Sequence, residues 1–164
     1  MLKQLLLIVI VVFLVSSCQP KQANDQSPVR QLVQQRFAAL NRHDAGAVAS
    51  QYATNALILS PNFEKPETGK QGAKNVYQRY FTTSPDMVYT LMAVSAGDSA
   101  VTVEYTFGGT MKHLEASVPA YMKDKPYLIK ACEVLQLKDG RIIRDESYFD
   151  QVSFLKQMGF FEQH

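Results

Sequence analysis

Two carboxylates stand where acid–base chemistry needs them. Asp145 lies in the run Arg141 to Phe149, and Glu133 in the run Tyr127 to Leu137. Successive residues of a strand point to opposite faces. By that parity Arg141, Ile143, Asp145, Ser147 and Phe149 share one face of the last strand, and Ile142, Arg144, Glu146, Tyr148 and Asp150 share the other. Glu133 falls in register with Ile129, Ala131, Leu135 and Leu137. A carboxyl group held among apolar side chains loses its water, so its pKa rises and it becomes a usable general acid or base. Two of them facing one pocket push each other's pKa apart. Asp145 and Glu133 are therefore the expected catalytic pair. The plainer roles are a solvated or ion-paired aspartate near a strand end, and a glutamate that partners a lysine or arginine on a neighbouring strand. Tyr52, Tyr80, Tyr105 and Phe149 are the expected ligand-contacting aromatics for a flat or hydrophobic molecule; as ordinary core they would need no ligand.

Other chemistries find little support in the residue types. The three histidines, His43, His113 and His164, show no metal-ligand spacing, and no metal or cofactor is expected. His113 reads as a surface residue. There is no glycine-rich phosphate loop and no Gly-x-Ser-x-Gly elbow. Of the two cysteines, Cys132 sits in an apolar strand pattern and reads as a buried small hydrophobe. Net charge is +2 over 164 residues, with no block of like charges, so no nucleic-acid partner is expected.

The elements that must position these residues follow from periodicity. Ser27-Pro28 is an N-cap with proline at the first helical position. Val29, Leu32, Val33, Phe37 and Leu40 then recur at helical spacing. Asp44 is placed to cap a second short helix carrying Val48 and Tyr52. Ala56 to Ser60 predicts a strand closed by Pro61, and a loop runs from Asn62 to Lys70. A third helix carries Ala73, Val76, Tyr77, Tyr80 and Phe81 and stops before Pro85. The period then becomes two. Met87 to Val94 and Val101 to Phe107 predict strands joined at Gly97-Asp98, with Gly108-Gly109 ending the second. An irregular stretch, Met111 to Pro126, separates them from a hairpin: Tyr127 to Leu137, a turn at Lys138-Asp139-Gly140, and Arg141 to Phe149. A short helix from Val152 to Met158 closes the chain, with Asp150 placed to cap it. Helices first and antiparallel strands after them argue an α+β domain with helices on one face of a curved sheet.

The N-terminus predicts export. Lys3 precedes Leu5 to Val15, an apolar run too short to span a bilayer and proportioned like a signal-peptide core. It ends in Val15-Ser16-Ser17-Cys18, which resembles the lipobox of bacterial lipoproteins. The resemblance implies cleavage after residue 17, lipidation of Cys18 and a membrane anchor of more than one acyl chain. Residues 18–27 read as a flexible tether and 28–164 as the domain. Gln19 after the cysteine, in place of aspartate, leans toward the periplasmic face of the outer membrane in a Gram-negative cell.

An ordered set of short motifs runs from Val29 to Gly159. It comprises the helix pair ending at Tyr52, Gly69-Lys70-x-x-Ala73, Gly97-Asp98-x-Ala100-Val101, and Gly109-Thr110. It continues with Lys138-Asp139-Gly140-Arg141-Ile142-Ile143, Tyr148-Phe149-Asp150 and Leu155-x-Gln157-Met158-Gly159. This set resembles the SnoaL-like branch of the superfamily that includes nuclear transport factor 2 and ketosteroid isomerase. The resemblance implies a cone: a strongly bent, mainly antiparallel sheet (the cystatin-like roll) wrapped on N-terminal helices, with a pocket at the open end. In SnoaL-like cyclases an aspartate or histidine on the late strand moves the proton, and Asp145 is the matching position. The family pattern often has a large aromatic where Glu146 stands, and this chain has no tryptophan. Family members are isomerases, cyclases, hydrolases and non-catalytic binders, so the fold leaves function open. The expectation is an envelope lipoprotein whose pocket holds a small hydrophobic molecule, with cofactor-free catalysis by Asp145. The alternative is a non-catalytic binding or homodimerisation module at the membrane.

Overall fold

The computed structural model describes residues 27–97 and 100–162. The signal segment, Cys18, most of the tether, Asp98 and His164 lie outside the described residues. Helix α1 (Pro28–Asn41) starts as its sequence dictates: the Ser27 hydroxyl accepts from Arg30 N at 3.2 Å, with Pro28 at the first position. Its buried stripe is Val33, Arg36, Phe37 and Leu40, so an arginine occupies a core position. Asp44 caps α2 (Ala45–Ser50), its carboxylate accepting from Ala47 N at 2.8 Å. That helix ends before Tyr52. The residue predicted on a helix instead opens strand β1 (Tyr52–Leu59), where its fully buried ring points under α1. The predicted loop contributes a two-residue strand, β2 (Glu67–Thr68), to the edge. Helix α3 (Gly69–Thr83) follows directly. Gly69 has φ +66°, and a Cβ there would lie 2.4 Å from the Thr54 carbonyl oxygen, so only glycine lets α3 start this close to β1.

The remaining strands are β3 (Val88–Ala96), β4 (Ala100–Thr110), β5 (Pro126–Lys138) and β6 (Arg141–Phe149). The sheet order is β2-β1-β6-β5-β4-β3. β1 and β6 run parallel and every other neighbouring pair antiparallel, so the sheet is mixed. Gly108-Gly109 does not end β4. Pairing continues through Gly108↔Leu128 and Thr110↔Pro126, and Gly108 lets the Tyr127 carbonyl approach to 2.6 Å of where a Cβ would be. Asp139 and Gly140, both at positive φ, make the tight hairpin turn between β5 and β6.

One irregularity decides what the last strand presents inward. Leu137 pairs with Ile142, but Gln136 pairs with Arg144, so Ile143 is an extra residue. Ile142 and Asp145 are consequently both fully buried on the concave face. The strict alternation that placed Ile143 beside Asp145 fails at this bulge and holds again from Asp145 through Ser147 to Phe149. Cys132 is also not buried as expected. It is half-buried on the convex face, in register with Glu104 and Tyr148, because its neighbours Ala131 and Glu133 take the inward positions.

Helices α1 and α3 fill the concave side. Helix α4 (Gln151–Gln157) begins at Asp150, whose carboxylate accepts from Ser153 N at 3.0 Å. The Gln157 amide bonds both the N–H and the carbonyl of Leu128, and Phe154 meets the Tyr127 ring edge-on at 5.5 Å. Together these contacts fold α4 across the open end of the roll.

Candidate functional site

A charged cluster lies where α1 crosses the sheet. The Arg36 guanidinium is completely buried. Its Nε donates to Glu133 Oε2 at 3.1 Å and its Nη2 to Oε1 at 2.5 Å. The same Nη2 lies 2.8 Å from Asp145 Oδ2, 2.8 Å from the Tyr52 hydroxyl and 2.6 Å from the Tyr77 hydroxyl. Tyr52 also donates its hydroxyl proton to Asp145 Oδ2. The rings of Tyr52 and Tyr77 each have their centroid 5.3 Å from the guanidinium carbon. Five elements meet here: α1, β1, α3, β5 and β6.

The arithmetic of this cluster sets its protonation. Two hydrogens on Nη2 face four oxygens, and one cation faces two carboxylates. Burial drives the Asp145 carboxyl well above the usual range; repulsion from Glu133 adds to this, against the pull of Arg36 and Tyr52. Burial and the second carboxyl group therefore favour the protonated form of Asp145. Burial opposes the charge on Arg36, but Glu133, Tyr52, Tyr77 and Asp145 together more than offset it, so the guanidinium stays ionised. Arg36 Nη1 and Asp145 Oδ1 make no hydrogen bond to the described residues.

A cavity of about 350 Å³ opens beside the cluster, bounded by α1, α3, α4 and the concave sheet. Glu133 and Ser147, paired across β5 and β6, form part of its wall. Tyr80, Tyr89, Tyr105, Phe107, Tyr127 and Phe149 supply most of its aromatic surface. The hydroxyls of Tyr89 and Tyr105 have no protein partner among the described residues, although these side chains are 7% and 8% exposed. Burial raises both tyrosines well above their ordinary range, so they stay neutral phenols. Burial likewise pushes Tyr127 up to about 12, and its hydroxyl donates to Ser84 at 2.9 Å. Arg79 and Glu115, 3.6 Å apart and half exposed, pair on the outer part of the wall.

Four of the six residues predicted for the site, Glu133, Tyr80, Tyr105 and Phe149, line this cavity. Asp145 and Tyr52 do not; they stand behind Glu133, joined to it through Arg36. His113 is exposed, and His43 stacks on Phe81 at 4.7 Å with Nε2 2.7 Å from the Met87 carbonyl oxygen. Sequence reasoning missed Arg36 and the role of Tyr77. The signal was present: Val33, Arg36, Phe37 and Leu40 have the i, i+3, i+4, i+7 spacing of one buried face. Among the described residues no cluster of three His, Cys, Asp or Glu side chains is placed to hold a metal ion, and no helix is long and apolar enough to cross a membrane.

The proton on Asp145 has a thermodynamic signature. The folded pKa lies above the unfolded value of 3.8, so the folded state binds more protons. Stability is then fully present below about pH 4 and falls as pH rises through the folded pKa, at up to about 1.4 kcal/mol per pH unit. Asp145→Asn removes this titration. The variant should gain on the parent with rising pH, as followed by urea unfolding across that range. A difference between the two that does not change with pH would refute the assignment.

Comparison with known proteins gives a consistent family. Residues 33–145 match the family model described as a SnoaL-like domain. No curated protein sequence matches the chain. Among solved structures, TsrD from Streptomyces laurentii superposes with TM-score 0.69 at 19% identity, over 86% of this chain and 98% of that one. A protein with a ketosteroid isomerase-like fold from Catenulispora acidiphila, in complex with trimethylamine, gives 0.65 at 19% identity, over 79% and 92%. The epoxide hydrolase/cyclase-like enzyme SalBIII of pyran ring formation in salinomycin gives 0.62 at 19%, over 76% and 92%. At these identities the likeness concerns the fold.

Proposed function

Because the chain belongs to the SnoaL-like domain family, we propose that it is a lipid-anchored receptacle in the bacterial envelope for a small, mostly apolar, ring-bearing molecule. The observation that carries this reading is the cavity itself. Its wall combines aromatic rings with a few polar groups that the protein leaves uncommitted: the hydroxyls of Tyr89 and Tyr105, and the cavity side of Glu133. An apolar enclosure with a few convergent polar groups is the general form of a small-molecule site. Ser147→Trp tests it. The indole would project beside Glu133 and fill the space, so binding of a neutral aromatic such as naphthol should fall at least tenfold, or about 1.4 kcal/mol. Calorimetry reads the loss; unchanged affinity would put the ligand elsewhere.

A second reading, cofactor-free acid–base catalysis, is favoured by two carboxyl groups set against one guanidinium, one of them lining the cavity. Its roles differ from the sequence expectation. Glu133 touches the bound molecule and takes the proton, whereas Asp145 acts behind it as a positioning residue, through Arg36. SalBIII, an epoxide hydrolase/cyclase-like enzyme, is an example of this fold carrying an enzyme.

The envelope location rests on Val15-Ser16-Ser17-Cys18. In a Gram-negative host the lipidated Cys18 would tether the domain to the periplasmic face of the outer membrane. Cys18→Ser should move the protein from the membrane fraction to the soluble periplasm and abolish incorporation of labelled palmitate. Palmitate labelling that persists in the variant would refute lipidation at this residue.

A further inference from the structure

The cavity has an uneven charge economy. The cluster beside it contains one permanent cation, Arg36, and two carboxylates, Glu133 and Asp145. Around Asp145 stand Arg36 from α1, Tyr52 from β1, Tyr77 from α3, Tyr105 from β4 and Glu133 from β5. None of these is a second cation. The other charged groups on the cavity wall, Arg79 and Glu115, neutralise each other. Inside the protein, two carboxyl groups therefore share one permanent cation.

The wall of the cavity continues the same bias. Glu133 is 3% exposed and gives one lone-pair direction of each oxygen to Arg36, so acceptor capacity remains on the cavity side. The hydroxyl oxygens of Tyr89 and Tyr105 are neutral and have no hydrogen-bond partner among the described residues, so they can accept N–H bonds. Tyr80, Tyr89, Tyr105 and Phe107 line the same space, and an aromatic ring carries the negative part of its quadrupole on its faces. An acidic group behind aromatic rings is the arrangement that holds organic cations.

We propose that the cavity takes a small organic ammonium ion bearing an aryl or alkyl group, which supplies the second cation for the two carboxyl groups. The inference rests on the cavity being the binding site. Binding is coupled to Asp145, and the exchange is balanced: the ammonium enters with charge +1, Asp145 ionises, one proton passes to solvent, and no covalent bond to carbon forms or breaks. With the cation bound, Arg36 and the ammonium face Glu133 and Asp145, two charges against two.

The test uses the exported domain and pairs that differ in charge alone. Phenethylammonium and phenethyl alcohol have nearly the same shape, and at pH 7 only the first is charged. The ammonium should bind at least tenfold more tightly by calorimetry. Phenethyltrimethylammonium, which has no proton of its own to lose, should release close to one proton per site when titrated in two buffers of different ionisation enthalpy. In Asp145→Asn the ratio of ammonium to alcohol affinity should fall below threefold and the proton release should vanish. If the alcohol binds as well as the ammonium, the inference is overturned and the cavity remains a site for neutral molecules; if the cation binds without releasing a proton, the coupling to Asp145 is overturned. If neither compound nor naphthol binds, it falls together with the reading it rests on. The proton count is measured on the unmodified protein, so the proposal stays testable even where the variant folds poorly.

Discussion

Arg36→Met should cost about 3–5 kcal/mol, the largest loss expected from any single change outside the apolar core. The substitution keeps much of the side-chain volume but leaves Glu133 and Asp145 buried with no cation between them. Two buried carboxyl groups would then have no counter-ion. Without the pull of Arg36 the raised Asp145 pKa rises further, so stability is retained below about pH 4 and lost over a longer pH range than in the parent, at up to about 1.4 kcal/mol per pH unit. Urea unfolding near pH 5 and near pH 8 reads both quantities. A loss below about 1 kcal/mol, or one that does not grow with pH, would show that Arg36 is not the counter-ion of this pair. A companion variant carrying Arg36→Met, Glu133→Leu and Asp145→Leu should recover most of the loss, because an apolar replacement of a buried ionic cluster is often neutral or stabilising.

The second large effect concerns proton transfer. Glu133→Gln should slow any exchange of an acidic C–H in the cavity by about 10²–10⁴-fold, the usual contribution of one positioned base. Deuterium incorporation into β-tetralone, followed by NMR with and without protein, measures this without knowledge of the natural substrate. The same change should disturb stability less than Arg36→Met, since Asp145 can give up its proton and take over the guanidinium at 2.8 Å. Asp145→Asn separates the roles. It should shift the pH profile of exchange while retaining a much larger share of the rate, because Asp145 does not line the cavity. Exchange that is equally fast with glutamine at 133 would leave the domain as a binder and remove the catalytic reading.

How far the site was legible varies residue by residue. Glu133 was placed correctly because β5 alternates without interruption from Tyr127 through Leu135. Asp145 was expected inward and is inward, but with Ile142 as its fellow rather than Ile143, since the bulge at Ile143 leaves no mark in composition. Tyr52 reads as helical because Asp44 caps an alanine-rich stretch in which Val48 and Tyr52 stand four residues apart. Parallel pairing with β6 from Tyr52 onward claims it for the sheet instead. Gly108 and Gly109 read as a strand end, whereas a close approach of β5 and of the Asp86–Met87 turn required their missing side chains. Arg36 lay on the apolar stripe of α1, yet an arginine there is ordinarily placed at the boundary with its head in water.

The order of elements, the caps at Ser27, Asp44 and Asp150, the Asp139-Gly140 turn and the family resemblance follow from the chain alone. Each is a local matter of backbone sterics, hydrogen bonding over a few residues, or periodic burial, and neighbours in sequence suffice to encode it. The protonation of the carboxylates, the separation of a cavity-facing Glu133 from an enclosed Asp145, and the guanidinium that joins them were decided only in three dimensions. Arg36 and Asp145 are 109 positions apart, and the field each feels depends on water excluded by five elements at once. No window of sequence contains that sum.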